Sequence, residues 1–100
     1  MVKLLDRLVF FMGKTVEEYI SFLESKGFSF GEDDIGFIYF GKQYTNASDI
    51  LVNAAIEMTL KAQKDFDGSF YISLLEALKQ SNLATRSEVE MFVKKRGLLT

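Results

Sequence analysis

Residues 28–41 read Phe28-Ser-Phe-Gly-Glu-Asp-Asp-Ile-Gly-Phe-Ile-Tyr-Phe-Gly41, and the reading of this stretch decides the fold. Phe28 to Phe30 and Phe37 to Phe40 are aromatic and β-branched runs, residue types that suit a pleated strand. Between them, Gly31-Glu-Asp-Asp-Ile-Gly36 has the composition of a turn. The pattern predicts a β-hairpin over 28–41. Strand alternation then sends Phe37 and Tyr39 to one face and Ile38 and Phe40 to the other. With Tyr44 the aromatic residues number six within seventeen positions. A lone two-stranded hairpin is marginal in water, so one face is expected to rest on helices. The other face is then an exposed apolar patch of the kind that marks an interface, or the hairpin edge accepts a strand from a partner. The interface candidates are Phe28, Phe30, Phe37, Ile38, Tyr39 and Phe40.

Working outward, the flanks read as helix. Leu4, Leu5, Leu8, Phe11 and Met12 recur at helical spacing over 2–12, and Gly13 closes that segment. Thr15-Val-Glu-Glu18 is a capping box. It opens a helix carrying Val16, Tyr19, Ile20 and Leu23 on one side, with Gly27 as its stop. Beyond the hairpin, Asn46, Ser48 and Asp49 are N-cap candidates for a long helix to about Lys64. Asn53, Glu57, Lys61 and Lys64 form its polar stripe, and apolar residues cover the rest, so the helix belongs in the centre of the fold or in an interface. Asp65-Phe-Asp-Gly68 leads into a helix with Tyr71, Leu74, Leu75 and Leu78 inward, ending near Ser81-Asn82. Thr85-Arg-Ser-Glu88 is a second capping box. The last helix buries Val89, Phe92 and Val93 and ends at Gly97. The predicted fold is mainly α (α+β), about five helices packed around one aromatic-rich β-hairpin, as a single domain over 1–100.

Composition narrows the chemistry. The chain has 100 residues, 48% hydrophobic and 26% charged, which argues against disorder. It contains neither cysteine nor histidine. That excludes disulfides, the usual zinc sites, and nucleophiles activated by a histidine. Net charge is −2, with 5 Lys/Arg against 8 Asp/Glu in residues 1–50 and 7 against 6 in residues 51–100. Neither half has the positive surplus typical of nucleic-acid binding. The run Leu8-Val-Phe-Phe-Met12 is too short for a signal-peptide core, and no stretch reaches the roughly 20 apolar residues of a membrane span. A cytoplasmic protein without membrane contact is expected.

Three further motifs carry chemical possibilities. Asp65, Asp67, Ser69, Tyr71 and Glu76 fall at positions 1, 3, 5, 7 and 12 of a twelve-residue stretch that resembles the EF-hand calcium loop, which takes oxygen ligands there. The resemblance implies a metal site at Asp65, Asp67, Ser69 and Glu76, although Phe70 stands where that loop has its glycine. The last two helices superficially resemble a helix-turn-helix, whose second helix would bring Arg86, Lys94, Lys95 and Arg96 to phosphates. The same cations also suit the negative end of a helix dipole. Finally, Glu32-Asp33-Asp34 reads as a solvated charge cluster on the hairpin tip. No spacing brings a plausible base to a nucleophile, and no glycine-rich phosphate loop is present. The expected function is therefore a non-enzymatic protein–protein interaction module, a homodimer or a small subunit of a larger assembly, with no cofactor. A small nucleic-acid-binding regulator is the alternative, and a degenerate calcium loop a weaker one.

Overall fold

The computed structural model describes residues 14–82 and 86–96. They form five helices: α1 (Val16–Ser25), α2 (Glu32–Thr45), α3 (Asp49–Gln63), α4 (Gly68–Gln80) and α5 (Arg86–Arg96). The helix expected over 2–12, the stop at Gly13, the cap at Thr85 and the stop at Gly97 lie outside the described residues.

α1 follows its local signals. The Thr15 N–H donates to Glu18 Oε1 at 2.9 Å, and the Glu18 N–H donates to Thr15 Oγ1 at 3.1 Å, so two orphan donors are satisfied reciprocally. Val16, Tyr19, Ile20 and Leu23 are buried. At the other end Gly27 takes φ +103°. Its N–H reaches Glu24 O and the Phe28 N–H reaches Leu23 O, each at 3.1 Å, the paired bonds of a Schellman stop.

The hairpin is absent. Among the described residues there is no strand, and the segment expected to form one is α2. The supposed turn is a helix start: the Gly31 N–H donates to Asp34 Oδ2 at 3.1 Å. Glu32, Asp33 and Asp34 occupy the first turn, where carboxylates stabilise the positive end of the helix dipole. Asn46 closes α2 in the left-handed conformation, φ 55°. Packing explains why a strand-like sequence becomes helical. Ile38 and Gly41 are the buried positions, and Ile35 packs against the core, at the spacing of one helical face. The Tyr71 hydroxyl of α4 donates to the Ile38 carbonyl at 2.7 Å. A Cβ at Gly41 would stand 2.8 Å from the Tyr71 ring, so only glycine allows the two helices this close.

α3 is the axis of the molecule. Ser48 Oγ accepts from the Leu51 N–H at 3.3 Å to start it. Residues 51–60 are then all buried, and α1, α2, α4 and α5 each pack against this helix. The expected polar stripe is partly internal. Asn53 and Glu57 are buried. Asn53 Nδ2 donates to the Lys14 carbonyl at 2.9 Å, and the Tyr19 hydroxyl donates to Glu57 Oε1 at 2.5 Å. Lys61 Nζ lies 3.9 Å from the other Glu57 oxygen, and Lys64 is exposed. Asp67 caps α4, its Oδ1 accepting from the Phe70 N–H at 3.0 Å. Tyr71, Leu75 and Leu78 are buried along α4, and Val89 of α5 completes the core.

Candidate interaction surface on the second helix

Winding residues 32–45 into a helix sorts their side chains by a rule different from alternation. With Ile35, Ile38 and Gly41 turned inward, Glu32, Asp33, Gly36, Phe37, Phe40 and Tyr44 fall on the outer side. Phe37 is 42% exposed, Phe40 57% and Tyr44 64%. The Phe40 and Tyr44 rings stack on one another, centroids 5.6 Å apart and planes 11° from parallel. The Phe37 ring leans over the start of α4, where a Cβ at Gly68 would come within 2.6 Å of it. Glu32, Asp33, Gly36, Phe37 and Phe40 line a shallow open groove with an acidic rim.

Gly36 at the floor of that groove is informative. Glycine inside a helix costs about 1 kcal/mol relative to alanine. At Gly41 the closeness of Tyr71 offsets that cost. At Gly36 a Cβ would meet nothing within 4 Å, and its φ is not in the left-handed region. Among the described residues nothing gives a steric reason for a glycine there.

The six sequence-derived candidates do not share one face. Phe37 and Phe40 belong to the outer surface of α2. Phe28 is exposed in the connection before α2, 39%. Phe30 is half-buried and edge-on to Phe66, centroids 6.0 Å apart. Ile38 is fully buried. Tyr39 is half-buried, and its hydroxyl donates to Glu17 Oε2 at 2.9 Å, tying α2 to α1. Burial first, and then the hydrogen bond to Glu17, push the Tyr39 phenol up to about 12. The Glu17 carboxyl is held below its ordinary value by a backbone hydrogen bond and by the Tyr39 hydroxyl. Tyr44 and Gly36 were missed as surface candidates because strand alternation gave neither a role. Helical spacing from Phe37 and Phe40 would have found both.

The remaining candidate residues lie just before α4, on α4 and on α5. Residues 68–80 are helical, so the twelve-residue calcium stretch does not form a ligand loop. Asp65 Oδ1 accepts from the Phe66 N–H at 2.8 Å and Asp67 caps α4. Ser69 is exposed and Glu76 partly buried, roughly 10 Å apart along the same helix. Among the described residues no group of three acidic side chains is placed to hold a metal ion. Of the basic candidates on α5, Lys95 is exposed. The side chains of Arg86, Lys94 and Arg96, and the turn 83–85, lie outside the described residues. No helix among the described residues is long and apolar enough to cross a membrane.

No match was found among curated proteins or among solved structures. One family profile covers residues 11–99, nearly the full length, and on that ground the chain belongs to DUF6123, a family of unknown function.

Proposed function

We propose that this protein is a non-enzymatic interaction module whose docking surface is the outer face of α2. The observation that carries this reading is the exposed ring stripe Phe37, Phe40 and Tyr44 beside an acidic-rimmed groove floored by Gly36. Large rings left in water on an ordered helix favour association, because each removes apolar area from solvent when covered. The partner that fits is a protein helix with an apolar ridge and a cationic flank, which meets the rings with the one and Glu32 and Asp33 with the other. The groove sets carboxylates beside phenyl rings, a lining suited to holding an apolar surface with a cationic flank. The lack of cysteine fits a cytoplasmic setting, which is part of this reading.

A fluorescein-labelled synthetic helix with leucines along one face and flanking lysines tests it. The full chain, held at low micromolar concentration, should bind this probe saturably. Phe40→Asp should abolish binding while leaving the far-ultraviolet circular dichroism unchanged. Undiminished binding by Phe40→Asp would place the contact elsewhere, and loss of helicity would make Phe40 part of the fold's own core.

A further inference from the structure

We infer that the occupant of this surface is a second copy of the same chain, docked antiparallel so that Tyr44 of each copy enters the groove over Gly36 of the other. The inference rests on the interaction-surface reading and adds the partner and the register.

The first support is self-complementarity. A two-fold interface requires one patch to carry both a projection and the hollow that receives it. α2 carries both. Tyr44, the most exposed ring of the stripe, is the projection, and the groove around Gly36 is the hollow. Positions 36 and 44 are equidistant in sequence from Phe40, on one continuous helix. A two-fold axis at Phe40 therefore brings Gly36 of each copy opposite Tyr44 of the other, and the two Phe40 rings against one another. The missing Cβ at Gly36 is what lets a ring settle onto the backbone, which accounts for a glycine that no described neighbour requires.

Charge is the second support. The start of α2 carries Glu32, Asp33 and Asp34. Beside its end, the exposed Lys79 of α4 places Nζ 3.1 Å from the Asn46 carbonyl. An antiparallel pair lays the acidic start of each α2 beside Lys79 of the other copy, and opposes the two helix dipoles. At the groove rim Glu32 and Asp33 are placed to accept the incoming Tyr44 hydroxyl, the polar end that a buried tyrosine must satisfy.

The area sets the strength. An aromatic side chain presents on the order of 200 Å², so the exposed parts of Phe37, Phe40 and Tyr44 offer roughly 300 Å² per copy. A standard interface buries about 800 Å² per partner. The dimer is thus weak, and it loosens further in high salt.

Sedimentation equilibrium of the full chain from low micromolar to about 1 mM tests this directly. A concentration-dependent dimer is expected. Tyr44→Ala, which removes the projection, and Gly36→Leu, which fills the hollow, should each weaken it about tenfold or more with helicity intact. Because the chain has no cysteine, introduced thiols report the register. Under mild oxidation, a mixture of Gly36→Cys and Tyr44→Cys should cross-link to the mixed dimer far faster than either does with Glu24→Cys, an exposed control on α1. This readout remains decisive should Gly36→Leu fail to fold. A monomer throughout the range overturns the inference, as does a dimer indifferent to both substitutions and without the 36–44 cross-link. If the wild type stays monomeric while the probe helix binds and Phe40→Asp abolishes that binding, self-docking fails and the interaction surface stands. If the probe does not bind either, both fail.

Discussion

α2 and α3 are neighbouring helices of almost equal length, 14 and 15 residues, yet they use apolar residues in opposite ways. α3 buries ten consecutive residues, and helices pack around its circumference. α2 fully buries only Ile38 and Gly41, while its large rings Phe37, Phe40 and Tyr44 face outward. Inside α2 the helix is narrow, because a glycine and a carbonyl meet Tyr71. Hydrophobic side chains thus mark burial in one helix and a free surface in the next. What separates the two is which residues the neighbouring helices leave room for, not how apolar the segment is.

Several measurements sharpen or break that contrast. The largest effect is expected where α3 is enclosed. Ile56→Ala should cost about 2–5 kcal/mol in chemical denaturation, the transfer and cavity cost of a fully buried aliphatic. Phe40→Ala, though it deletes a larger side chain, should cost about 0.5 kcal/mol or less at concentrations where the chain is monomeric. Equal losses at the two positions would erase the distinction between the helices.

Within α2, the two glycines should respond with opposite signs. Gly41→Val drives side-chain atoms into the Tyr71 ring and should destabilise by about 1–3 kcal/mol. Gly36→Ala meets open space and gains helix propensity, so it should stabilise the monomer by about 1 kcal/mol. A destabilising Gly36→Ala would show that the outer face of α2 is packed against something in the single chain.

The smallest effect concerns the contact between α1 and α2. Folding raises the Tyr39 phenol to about 12 from an ordinary value of 10.0, so the folded state holds its proton longer than the unfolded chain does. The contribution is fully present below pH 10 and is lost as pH rises through about 12. Tyr39→Phe should make the stability profile flatter between those values, and an unchanged alkaline limb would remove the Tyr39–Glu17 contact from the account.

Legibility followed the range of the forces involved. The capping box Thr15–Glu18, the stop at Gly27, the inward set Val16, Tyr19, Ile20 and Leu23, and an apolar helix after Ser48 were all readable, because each is written in residues close in the chain. Whether that helix lay at the centre or in a contact surface was not readable, and the structure encloses it. The nature of 31–45 was not. Gly31, Glu32, Asp33 and Asp34 form a good hairpin tip and an equally good helix start, and Phe37 to Phe40 favour a strand on local preference. Only the approach of α4, with Tyr71 bonded to Ile38 and packed on Gly41, decides for helix. Asn53 and Glu57 teach the same lesson, since their partners Lys14 and Tyr19 lie 39 and 38 residues away in the chain.

By itself, then, the sequence determined a mostly helical chain, the caps of α1, an apolar helix after Ser48, and a composition without thiol or imidazole. The tertiary structure alone decided that residues 32–45 are helix, that Ile38 faces in while Phe40 and Tyr44 face out, and that Gly36 floors a groove. The physical reason is that local preferences are worth about 1 kcal/mol per residue or less, and the burial of a few side chains between distant helices outweighs their sum.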